Sequence, residues 1–74
     1  ITDGKLTLKA TMPGRIVKVE VKEGDHVKAN DSLIIIQAMK MENELRTPKG
    51  GVIEKIFVNT GDSIEVGAEL IIIT

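Results

Sequence analysis

The sequence predicts an all-β fold, a flattened sandwich or barrel of about eight short strands. Three observations lead there. Apolar and polar residues alternate along several segments, with no sustained helical spacing. Glycine, proline and aspartate punctuate the chain at short intervals. The second half of the chain repeats the first.

The elements follow in order. Leu6, Leu8 and Ala10 alternate with polar neighbours and read as a first strand. Pro13-Gly14 marks a turn, and Val17, Val19 and Val21 then alternate as a second strand. Gly24-Asp25 marks the next turn. The run Leu33-Ile34-Ile35-Ile36 has the β-branched character of a strand covered on both faces, or of one bridging two sheets. Pro48 to Gly51 is a further turn, residues 52–58 give a noisier alternation, and Gly61-Asp62 turns the chain again. Leu70-Ile71-Ile72-Ile73 is a last strand like residues 33–36.

The repeat has an offset of 37. Gly14 recurs as Gly51, Ile16 as Ile53, Val19 as Ile56, Val21 as Val58, Gly24-Asp25 as Gly61-Asp62, Val27 as Ile64, and residues 33–36 as residues 70–73. Two copies are too few for a solenoid. Two halves that each lack a core can bury their apolar faces against one another, so a pseudo-twofold domain is expected. Asn30 matches Gly67. Those two residue types tolerate a left-handed backbone, so both positions are expected to have positive φ.

The 74 residues make a single small domain, expected to span 1–74. A chain this short buries only about 60% of its unfolded surface, so its stability rests on an efficient core. There is no cysteine, which fits a reducing compartment such as the cytoplasm. Phe57 is the sole aromatic and the net charge is -1 with mixed signs, so a nucleic-acid partner is not expected. The apolar runs are far too short to insert in a bilayer, and no signal-peptide pattern opens the chain. Ile1 is not an initiator methionine, so a fragment or processed product is expected. Catalysis by the chain itself is not expected: no nucleophile is paired with a base and there is no phosphate loop. His26 is a lone histidine without a ligand cluster, and the Gly-Asp pairs lack the carboxylate spacing of a calcium loop. Glu42 and Glu44 read as a solvated strand face.

Lys40 stands apart. Seven other lysines show that charge alone marks nothing. Lys40, however, lies between two methionines in Ala38-Met39-Lys40-Met41-Glu42, at the junction of the two repeats. Because residues 5–10 match residues 42–47, the turn before Glu42 corresponds to the gap between chain end and chain start. Lys40 is therefore expected at one end of the domain, with both termini at the other. Methionines at alternate positions more often fill core gaps. Flanking a turn, burial of both is less natural, and a lysine so placed suits modification by another protein.

Thr11-Met12-Pro13-Gly14, the Gly-Asp turns and above all Ala38-Met39-Lys40-Met41 resemble the biotinyl domain of biotin carboxyl carrier proteins, in the biotin/lipoyl attachment family. The resemblance covers nearly the whole chain. It departs from the family's usual residues at Gln37 (Glu), Thr11 (Pro) and Asn30 (Gly), and no inserted thumb interrupts the repeat. It implies a flattened barrel of two four-stranded sheets with a pseudo-twofold axis. It also implies that Lys40 receives biotin through an amide, with Ala38, Met39 and Met41 read by a biotin protein ligase. The arm would then serve biotin carboxylase and carboxyltransferase or decarboxylase subunits. A lysine ammonium in water is almost wholly protonated at neutral pH, so amide formation requires an activated carboxylate and a partner active site that removes the proton. Two other classes are expected to differ in sequence. Lipoyl domains typically carry Asp before the lysine and a small residue after it, and unmodified adaptor barrels usually lack the lysine.

Overall fold

A computed structural model describes residues 4–74; the expected domain is 1–74, and residues 1–3 lie outside the described residues. Eight strands follow one another: β1 (Leu6–Lys9), β2 (Gly14–Val19), β3 (His26–Val27), β4 (Ser32–Ala38), β5 (Met41–Arg46), β6 (Gly51–Ile56), β7 (Ser63–Ile64) and β8 (Glu69–Ile73). They form two four-stranded antiparallel sheets, ordered β1-β8-β6-β3 and β5-β4-β2-β7. Moving each strand of one half onto its counterpart in the other converts one sheet order into the other. The pseudo-twofold predicted from the repeat is thus the symmetry of the fold.

Neither half closes a sheet alone. β1 pairs with β8, β3 with β6, β2 with β7 and β4 with β5, so every one of these ladders joins one half to the other. Only β2–β4 and β6–β8 pair within a half. Between the sheets lie Ile16, Leu33, Ile34 and their repeat mates Ile53, Leu70, Ile71, all essentially inaccessible to water. Burying such a side chain contributes about 1.5–3 kcal/mol, which is how an aliphatic core stabilises so short a chain.

The Gly-Asp turns lock the halves reciprocally. Gly24 N donates to Ile53 O at 2.8 Å, and Gly61 N donates to Ile16 O at 2.8 Å. The returning bonds run from Ile53 N to Asp25 O (2.9 Å) and from Ile16 N to Asp62 O (2.8 Å). The aspartate side chains close the turns themselves: Asp25 Oδ2 accepts from Lys22 N and Asp62 Oδ2 from Asn59 N, each at 2.8 Å. This is the local bonding that favours Asp in turns.

Two strands depart from simple alternation. The β2 register shifts between Ile16 and Lys18, and that of β6 between Ile53 and Lys55. The extra residues, Val17 and Glu54, are repeat mates, so the bulge is itself part of the repeat. Val17 consequently does not join the core, contrary to the expected Val17-Val19-Val21 alternation, and β2 ends at Val19. The same bulge explains the noise in residues 52–58. A second pair of bulges, at Leu33 and Leu70, brings two successive residues inward in each half. Ile35 and Ile72 remain only half-buried, so these runs reflect a bulge rather than strands covered on both faces.

Asn30 and Gly67 both have positive φ, 77° and 88°, as the repeat predicts. Their amides make matching bonds, Asn30 N to Thr47 O at 2.7 Å and Gly67 N to Ala10 O at 2.9 Å. A Cβ on Gly67 would meet nothing within 4 Å, so any penalty there comes from the backbone alone. Gly67→Val is expected to lower the free energy of unfolding by about 1–3 kcal/mol, whereas Asn30→Gly leaves it nearly unchanged. Urea titration of both variants checks this, and equal small effects would contradict it.

Candidate functional site

The β4–β5 hairpin carries Lys40. Ala38 pairs with Met41, leaving Met39 and Lys40 as a two-residue loop. Both have positive φ, 52° and 68°, the condition for the hairpin turn whose twist matches that of its flanking strands. Asn-Gly is the sequence that adopts this turn without strain. Here two bulky residues hold it, at roughly 1–2 kcal/mol each. Among the described residues, Asn30 is the only other non-glycine with positive φ. Pairing along β4 and β5, from Ser32↔Arg46 to Ala38↔Met41, clamps the loop in this conformation.

Met39 is 89% exposed and Met41 66% exposed. Lys40 is exposed, and among the described residues its ammonium has no ion-pair partner. Three of the seven other lysines are engaged, Lys5 with Glu54 at 3.0 Å, Lys49 with the Gly4 carbonyl, and Lys55 over the Phe57 ring at 5.3 Å, so the lack of an ion pair does not by itself set Lys40 apart. Methionine 39 lies within the turn, not beside it as expected, and Met41 opens β5.

Ala38 is the buried root of the hairpin, 4% exposed. It rests against Gly14: a Cβ on Gly14 would lie 2.5 Å from the Gln37 carbonyl oxygen and 3.3 Å from Ala38 Cβ. The small residue at 38 and the glycine at 14 thus seat the turn flush on the barrel. The sequence signalled Gly14 only as a turn. Its role as a seat for the hairpin depends on the Arg15↔Gln37 register, which no local pattern reveals. Gln37 itself is exposed.

β5 then carries the chain away from the apex for six residues, roughly 20 Å at about 3.3 Å per residue. At its far end Lys49 reaches the Gly4 carbonyl, and Val52 and Thr74 exchange backbone bonds at 3.0 Å. Leu6 is paired with Ile73. Lys40 therefore lies at the end opposite Gly4 and Thr74, as the repeat predicts. Glu42 and Glu44 are exposed on β5, and Glu44 pairs with Arg46. His26 is exposed on β3, and no cluster of potential metal ligands occurs among the described residues. Nor does any helix of the described residues have the length and apolarity to cross a membrane.

A family model described as "Biotin-requiring enzyme" (Biotin_lipoyl) matches residues 6–73. The chain belongs to this family. It is 45% identical over 67 residues to the biotin carboxyl carrier protein of Streptococcus mutans, a match covering 90% of this chain and 52% of that protein. It superposes on the urea carboxylase of Kluyveromyces lactis with a TM-score of 0.89 and 36% identity, covering 100% of this chain and 6% of that one. It also superposes on the lipoyl domain of the 2-oxoglutarate dehydrogenase complex of Azotobacter vinelandii, with a TM-score of 0.82 and 28% identity, covering 92% of this chain and 94% of that domain. The chain thus spans about half the length of the carrier protein and a small fraction of the carboxylase.

Gly14→Ala is expected to destabilise the domain by about 1–3 kcal/mol, because the clash is with backbone rather than a flexible side chain. Replacing both Met39 and Met41 by leucine should change stability by no more than about 0.5 kcal/mol, since both are exposed. Denaturant midpoints of the two variants, measured side by side, check the contrast. A larger loss in the methionine variant would make those side chains structural.

Proposed function

We propose that this domain is a biotin carboxyl carrier module in which Lys40 is covalently biotinylated. The carrying observation is the apex itself: an exposed lysine held in a left-handed turn between two exposed methionines, in a member of this family. The residues fit the group. The amine stands clear of ion-pair partners among the described residues, and the β4–β5 ladder fixes the loop beneath it.

Each residue near the apex has a role in this function. Lys40 supplies the amine and, after amide formation, the stem of a swinging arm. Met39 and Met41 offer apolar, deformable surface to a biotin protein ligase, and Ala38 sets their height above the barrel. Biotin, once attached, supplies a ring that can hold a carboxyl group. The chain supplies position: a rigid mount at one end and tethering at the other, which together raise the local concentration of the arm at partner active sites. Those partners are biotin carboxylase and carboxyltransferase or decarboxylase subunits, and the setting is cytoplasmic. The domain performs no catalysis itself. Similarity to a lipoyl domain reflects the shared barrel, and the paired methionines favour biotin.

Amide formation removes one ammonium, so the formal charge changes from -1 to -2. Co-production with a biotin ligase, followed by peptide mass mapping, is expected to place a single biotinyl group on Lys40. Lys40→Arg abolishes labelling while leaving the unfolding transition in place, since a charge is kept at an exposed turn. Biotin on another lysine, a lipoyl adduct in cells that offer both, or no adduct beside a labelled control carrier would overturn the assignment.

A further inference from the structure

All three methionines of the chain lie on its surface, and none belongs to the aliphatic core. Met39 is 89% exposed, Met41 66% and Met12 40%. All three lie near the Lys40 end. Met12 precedes Gly14, against which Ala38 rests, and shares a shallow apolar notch with Ile36 and Asn43. Methionine 39 also sits where its backbone is least at ease, in a left-handed turn position better suited to asparagine or glycine. A local preference is overridden here at a position that contributes nothing to the core, which points to use of the side chain itself.

An exposed thioether is open to peroxide, and its sulfoxide is polar where the thioether was apolar. We propose that Met39 and Met41 form an oxidation site that gates modification of Lys40. This rests on the carrier function proposed above, in which a ligase reads those two side chains. A sulfur lone pair attacks a hydroperoxide, the O–O bond breaks, one oxygen becomes the sulfoxide oxygen, and water or an alcohol leaves. The sulfur loses two electrons and the peroxide gains them. A sulfoxide at either position presents a strong dipole to a surface shaped for an apolar group. The barrel is untouched, because its core holds no sulfur. Methionine sulfoxide reductases, drawing electrons from a dithiol, reverse the change.

The test uses the whole unmodified chain. It is treated with hydrogen peroxide, the excess is destroyed with catalase, and biotin ligase, biotin and ATP are then added. Peptide mapping is expected to show Met39 oxidised fastest, then Met41, then Met12, following exposure. Labelling of Lys40 is expected to fall by about tenfold or more, the scale for bringing an unpaired polar group into an apolar contact. The unfolding midpoint stays unchanged, and reductase treatment restores labelling. Met12→Leu retains the full sensitivity, which confines the effect to Met39 and Met41. Sulfoxides at both 39 and 41 with labelling within about twofold of the untreated chain overturn the gate while leaving the carrier function standing. A loss of labelling that the reductases do not reverse also overturns it. Failure of the untreated chain to be labelled beside a control carrier overturns both proposals together.

Discussion

The reciprocal bonding of the two halves is the constraint on which everything else depends. Each Gly-Asp turn donates to, and accepts from, the long strand of the opposite half, through Gly24, Asp25 and Ile53 on one side and Gly61, Asp62 and Ile16 on the other. Four of the six strand ladders also cross between halves. Ile16 and Ile53 therefore cannot reach their buried positions unless both halves are in place. In a chain without disulfides and with one aromatic, this mutual dependence substitutes for a larger core. It also makes folding cooperative, since removal of either half exposes the apolar face of the other.

The same dependence sets up the apex. β4 is central in its sheet, held by β2 on one side and β5 on the other. β5 belongs to the second half, so the hairpin that joins the halves is closed by their docking. The energy of that docking is what keeps Met39 and Lys40 in left-handed conformations neither would choose alone. Gly14 and Ala38 remove the bulk that would lift the turn off the barrel. The result is one lysine held in a fixed backbone geometry while its side chain is free, which suits an arm that must be recognised once and then move.

Much of this was legible in the sequence because the repeat is written in residues with strong physical preferences. The pairing of Asn30 with Gly67 disclosed two left-handed positions, and the match of residues 5–10 with 42–47 placed Lys40 opposite the chain ends. The bulges were not legible. Val17 is as apolar as Val19 and Val21, with which it alternates, and only the Ile16/Lys18 register shift shows that it is the residue left out. The two-residue strands β3 and β7 are too short to display a period. The repeat located the turn at Lys40, but its left-handed backbone at Met39 and Lys40 gave no signal, since neither residue is a turn former; tertiary pairing imposes it. Gly14 as the seat of the hairpin likewise depends on a long-range register. The candidate lysine was thus marked by its flanks and its end of the barrel by the repeat, whereas the backbone geometry of its turn was not.

The folded hairpin, rather than the local sequence alone, holds Lys40 in its exposed turn. The direct measurement compares the rate of biotin transfer to Lys40 in the folded domain with the rate to a free peptide of residues 33–46, using one ligase and equal concentrations. Holding two residues left-handed costs about 2–4 kcal/mol, a factor of roughly 30–700 in the population of the presented form. The peptide is expected to be labelled more slowly by at least about tenfold. Equal rates for peptide and domain would contradict it.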